Sequence, residues 1–149
     1  MCSDAFFRNH RLQNESEMSV QFVIGVDLGT TNSVLAYAPI DAETPNVNIL
    51  PVPQFVAPQT IEARSSLPSF LYLATESETA SSQYATPSDA GRDFVVGEAA
   101  RQRGAEVPER TVGAAKSWLS HSKVDRHQSI LPWGAPEDVP KISPVTASR

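Results

Sequence analysis

The sequence predicts an α/β fold, and three observations lead there. Two apolar runs, Val20 to Val26 and Ser33 to Ala38, flank a short polar turn and read as adjacent strands. Short runs rich in β-branched and aromatic residues recur at Val47 to Val52, Phe70 to Leu73 and Phe94 to Val96. Good helix formers gather after Gly97. With 149 residues the chain is long enough for one domain with a real core.

Taken in order, the polar, aperiodic stretch over residues 1–19 reads as a disordered extension, with Met18 as the expected true start. The first strand carries Phe22, Val23, Ile24 and Val26, apolar on both faces, as a central strand covered on both sides requires. A turn over Asp41 to Asn46 leads to the third strand. Pro51, Pro53 and Pro58 make Pro51 to Ser66 read as an irregular connector. Ser, Thr and Ala dominate Thr75 to Gly91, which reads as a flexible loop. Glu98 to Arg103 reads as a helix stopped by Gly104, and Glu109 to Leu119 as a second helix entered through Pro108. The proline-rich stretch Pro132 to Pro144 reads as an exposed connector. Ser143 and Pro144 then suit an N-cap and a first helical position. A helix begun there has only a turn or so of chain left, so the sequence reads as a fragment.

Bulk properties exclude several classes. A net charge of -5 gives no basic surface for a nucleic-acid backbone. The single cysteine, Cys2, rules out an intramolecular disulfide and a cysteine metal cluster. No apolar run approaches the roughly 18 residues that span a membrane, and Arg8, Glu15 and Glu17 break any signal-peptide pattern. The chain reads as cytoplasmic.

Chemistry concentrates in Val23 to Ser33, Val-Ile-Gly-Val-Asp-Leu-Gly-Thr-Thr-Asn-Ser. Gly29, without a Cβ, lets a turn tighten and a phosphate approach. Successive turn amides form an anion-binding concavity, to which Thr30 and Thr31 add hydroxyls. Asp27, at the strand end, can hold the waters of a Mg²⁺ ion. Asp, Gly, Thr and Asn are equally the residues of an ordinary polar turn, and this reading stays open on the turn alone. Neither GxxxxGK[ST] nor GxGxxG is present. His10, His121 and His127 show no ligand spacing, HExxH and GxSxG are absent, and Trp118 and Trp133 read as packing residues.

Gly25 to Ser33 resembles the first phosphate motif of the seventy-kilodalton heat-shock chaperones, which belong to the actin-like ATPases. Arg64 to Tyr72 is similar to that family's Arg-Thr-Thr-Pro-Ser stretch and following strand, and Val96 to Gln102 to its Val-Gly-x-x-Ala segment. Pro108 to Lys116 resembles its Pro-x-x-Thr-x-x-x-x-Lys spacing. The resemblance covers about Gln21 to Leu119. It departs in the lengths of Pro51 to Arg64 and Thr75 to Asp93, at Gly113, and at Ser117.

The resemblance implies the N-terminal lobe of an actin-like ATPase, with a ribonuclease H-like mixed sheet and a smaller strand-rich subdomain. Residues 20–63 would form the core subdomain and residues 64–149 the upper one. It implies ATP or ADP with Mg²⁺ as ligands, Gly29, Thr30, Thr31 and Asn32 as phosphate contacts, and Asp27 as the magnesium-side carboxylate. Lys116 would be catalytic, positioning the γ-phosphate and the attacking water. It further implies a chaperone that uses ATP to drive protein folding, with client proteins and cochaperones as partners. The second phosphate loop and the adenosine pocket of that family are not in the sequence, so the chain alone should bind ATP weakly and not turn it over. Two other readings share the hairpin: the N-terminal lobe of an actin-like sugar kinase, and a non-catalytic interaction module.

Overall fold

A computed structural model describes residues 21–40, 44 and 46–149. The expected extension over residues 1–19, the start at Met18 and most of the turn expected over Asp41 to Asn46 lie outside the described residues. The fold is α/β, with several antiparallel sheets and few helices. Every strand pair among the described residues is antiparallel; none is parallel.

The first sheet is built on the hairpin of β1 (Phe22–Leu28) and β2 (Asn32–Pro39). They pair in register from Phe22 opposite Pro39 to Leu28 opposite Ser33. β3 (Asn48–Ile49) joins the far side of β2. The expected third strand, Val47 to Val52, is therefore cut short, and Val52 opens another sheet. The cover expected on both sides of β1 is not found among the described residues: there it pairs with β2 alone, and all seven of its residues are exposed.

The expected irregular connector is a second hairpin, β4 (Val52–Ala57) and β5 (Thr60–Arg64). The prolines are compatible with it because a two-stranded ribbon is all edge, where a missing N–H costs little. Pro58 followed by Gln59 at φ 58° is the pattern of a type II turn. β4 sends Gln54 and Phe55 inward, both buried. β6 (Leu67–Pro68) then pairs with the start of β2.

The third sheet sets the core. β7 (Phe70–Leu73) lies between β8 (Phe94–Val96) and β9 (Thr111–Gly113). Strand alternation sends Tyr72 and Val95 to one face, against Phe55, Tyr84, Ala99 and Ala100. Leu71, Leu73 and Val112 go to the other, against Leu131. The first face is covered by α2 (Glu98–Glu106), which runs past the stop expected at Gly104. There glycine serves packing: a Cβ would meet Thr111 Cγ2 at 2.8 Å. Thr75 to Gly91 is not wholly loop. It holds α1 (Glu76–Ala80), started by a capping box between Thr75 and Glu78, and buries Tyr84.

The largest correction falls on Glu109 to Leu119. A 3₁₀ turn at Pro108–Arg110, then β9, then α3 (Ala115–Leu119) replace the single helix. Thr111 and Val112 are β-branched and find partners in Tyr72 and Leu71. Gly113 leaves room for the Phe70 ring, which a Cβ would approach to 3.3 Å. Pro132 to Pro144 is likewise not an exposed connector, since Pro132, Ala135, Val139, Ser143 and Pro144 are buried. α4 (Pro144–Ala147) starts where expected, with the Ser143 hydroxyl accepting from Thr146 N. No helix among the described residues is long and apolar enough to cross a membrane.

Candidate functional site

The hairpin tip is held by its own backbone and by one serine. Gly29 N donates to Asn32 O at 3.0 Å. Ser69, just after β6, ties both sides of the turn: its N–H donates to Thr31 O at 2.8 Å and its hydroxyl to Gly29 O at 2.9 Å. Gly29 is required by close approach rather than by a positive φ. A Cβ there would stand 2.3 Å from Asn32 O, a backbone atom that cannot swing aside. Gly29→Ala should therefore open the turn and cost about 1–3 kcal/mol, read as a lowered urea midpoint and as loss of hydrogen-exchange protection at Gly29 and Ser69.

With the tip fixed, the backbone N–H groups of Thr30 and Thr31 have no acceptor among the described residues. Both residues are exposed. Two adjacent free amides beside two hydroxyls form a donor set suited to an anion. The donors fit a phosphate in type and number. Asp27 is exposed, and with a single carboxylate it fits an ion that keeps most of its waters.

Lys116 lies 88 positions from the tip in sequence, yet its Nζ donates to Leu28 O. Register explains why that carbonyl is available. Gln21 and Ile40 exchange a backbone bond, as do Gly29 and Asn32, so odd-numbered residues of β1 bond to β2. Even-numbered ones, Leu28 among them, direct N–H and C=O outward. The lysine is delivered by α3, whose preceding residue, Ala114, turns the chain at φ 52°. Lys116, Leu28, Gly29 and Ser33 line a cavity of about 470 Å³. Leu67 and Val112 are among its apolar walls, and Arg149 is a second cation on its rim.

Of the residues expected at a phosphate site, Gly29 and Lys116 thus share one cavity. Asp27, Thr30, Thr31 and Asn32 do not line it. By strand alternation Asp27 leaves the sheet on the face opposite Leu28. Ser69 is the positioning residue that sequence reasoning did not single out. Its signal was its place within Arg64 to Tyr72, directly after the Leu67-Pro68 segment that pairs with β2. Compared with known proteins, the chain matches no family model, no curated protein and no solved structure.

Proposed function

We propose that the chain is the ATP-binding lobe of a seventy-kilodalton heat-shock-type chaperone, built as the N-terminal lobe of an actin-like ATPase with a ribonuclease H-like core. The observation that carries this reading is the approach of Lys116 to the hairpin tip. Of the chain's lysines, the one that reaches Leu28 O is the one the Pro108 to Lys116 resemblance singles out. An ordinary polar turn gives no reason for that meeting.

In this reading Thr30 and Thr31 hold phosphate oxygens through N–H and hydroxyl, and Gly29 allows the close approach. The Lys116 ammonium bonds one carbonyl and keeps two further donors for phosphate. Asp27 holds waters of Mg²⁺, and the bound ion would neutralise phosphate charge. Because the tip is exposed, each contact is made in high dielectric and the lobe alone binds weakly. Hydrolysis, a client protein, cochaperones and a cytoplasmic setting belong to the same proposal for the whole protein.

The test is an amide-resolved NMR titration of this chain with Mg²⁺ and ATP at millimolar concentration. The Thr30 and Thr31 amides should shift with ATP and ADP and stay still with adenosine. Lys116→Ala should weaken the ATP response several-fold while leaving the spectrum otherwise intact. Thr30 and Thr31 amides unmoved by ATP would overturn the reading.

A further inference from the structure

The turn at the hairpin tip lacks one of the two bonds that ordinarily close it. In a two-residue hairpin loop the flanking residues form a pair that exchanges both N–H···O bonds. Gly29 and Asn32 hold those places, and Gly29 N donates to Asn32 O at 3.0 Å. The return bond, from Asn32 N to Gly29 O, is not made; Gly29 O accepts from the Ser69 hydroxyl instead, at 2.9 Å. Across a trans peptide, the C=O of one residue and the N–H of the next point in opposite directions. Gly29 O turned toward Ser69 therefore aims Thr30 N–H away from it. Thr31 O, which accepts from Ser69 N at 2.8 Å, does the same for Asn32 N–H. The same rule at the Leu28–Gly29 peptide sends Leu28 O outward to Lys116.

We propose that Ser69 is a positioning residue that holds this turn open for an anion by drawing Gly29 O away from Asn32 N–H, a role that rests on reading the tip as a phosphate site. With the hydroxyl in place, Thr30 and Asn32 both present N–H groups on the side away from Ser69, and Asn32 joins the two threonines as a donor. Without it, Gly29 O is left to accept from Asn32 N, and the tip becomes a closed turn. The backbone does not oppose that closure: neither threonine has a positive φ, and a type I turn accommodates both. Closure consumes the Asn32 donor and re-aims Thr30 N–H together with the Gly29 carbonyl. Ser69 thus separates an anion-competent tip from an ordinary polar turn made of the same residue types. The fold fixes its place. Pro68 pairs opposite Asn32 and has no N–H of its own, and Ser69 leads directly into β7, the central strand of the core sheet.

Amide hydrogen exchange separates this role from a merely structural one, because removing a bond should here slow one amide. In Ser69→Ala, Asn32 N–H gains Gly29 O, so its exchange should slow about three- to tenfold. Loss of a purely structural tie would leave it unchanged or speed it. In the same variant the ATP affinity read from the Thr30 amide shift should fall about three- to tenfold, with an unchanged circular dichroism spectrum. Ser69→Thr, which keeps a hydroxyl, should restore both readouts. Asn32 exchange that is unchanged or faster in Ser69→Ala would overturn the proposal. The exchange comparison contains no nucleotide. A slowed Asn32 amide beside a silent ATP titration of the unmodified chain would keep Ser69 as the residue that opens the turn and overturn the phosphate reading. An ATP response that Ser69→Ala leaves at full strength would keep the phosphate reading and overturn the role of Ser69 in it.

Discussion

Replacing Glu78 by alanine is expected to cost about 3–5 kcal/mol and to lower the melting temperature by on the order of 10 °C. Glu78 is a buried carboxylate that joins three elements. One oxygen accepts from Tyr72 OH at 2.8 Å, from Thr75 N at 2.8 Å and from the Thr75 hydroxyl at 3.0 Å. The other accepts from Arg103 Nη2 at 2.9 Å. It thus ties the start of α1 to the central strand β7 and to α2. Removing it takes the acceptor from the Tyr72 hydroxyl and leaves Arg103 with the exposed Glu106 as its remaining carboxylate, in a region that already holds a buried Tyr84 hydroxyl without a partner. Glu78→Gln keeps some of these acceptors and should cost less.

The same residue sets a pH dependence. Burial raises the Glu78 pKa, but the hydrogen bonds from Thr75 and Tyr72 and the charge of Arg103 outweigh it, leaving it below the ordinary 4.5. The folded form therefore holds its proton less tightly than the unfolded chain. The stabilisation is fully present above the ordinary glutamate pKa and is lost as pH falls through the lower folded value. Tyr72 is pushed the other way, by burial first and then by Glu78, so it stays a proton donor at neutral pH. Urea midpoints should fall with acidification in the unmodified chain and fall less steeply in Glu78→Gln. An equal slope in both would show that other carboxylates dominate.

Local signals in the sequence were legible and distant ones were not. The two hairpin strands, Phe70 to Leu73, Phe94 to Val96 and the Ser143-Pro144 helix start follow from neighbouring residues alone. The capping box at Thr75 and Glu78 was equally readable, and the Ser/Thr-rich composition around it hid it. β9 was not readable. Its three residues are strand only because Tyr72 and Leu71, some forty positions away, supply the ladder. Exposure of β1 was unreadable for the same reason: an apolar run states what a strand would bury, not whether anything covers it. At the candidate site, Gly29 and the threonines stand out in the sequence by their types. The meeting of Lys116 with Leu28 does not, since 88 positions of chain must fold to produce it. Ser69 and Gln54 act across separations of 40 and 44 positions.

Gly97→Ala should cost about 3–5 kcal/mol, and the reason lies in Gln54 as much as in the glycine. Gly97 has φ 84° and ψ -138°, a backbone state that side-chain-bearing residues rarely adopt. An added Cβ would stand 2.5 Å from Gln54 Oε1 and 2.7 Å from Leu67 Cδ1. That Gln54 oxygen accepts from Glu98 N at 2.9 Å, serving as the cap that Gly97 cannot provide for α2. Its Nε2 donates to Ser66 O at 2.8 Å. Displacing the amide leaves both backbone groups unsatisfied beside the core, which adds to the conformational strain. The two contributions can be separated by a double-mutant cycle. Gln54→Ala alone removes the cap and also the atom that the added methyl group would strike. In that background Gly97→Ala should cost only the backbone strain and the Leu67 contact, well below its cost in the unmodified chain. Gly91→Ala, where nothing lies within 4 Å of the added Cβ, should change stability by less than about 0.5 kcal/mol. Additive effects at positions 54 and 97 would show that the strained backbone acts alone and that the added methyl group does not displace Gln54.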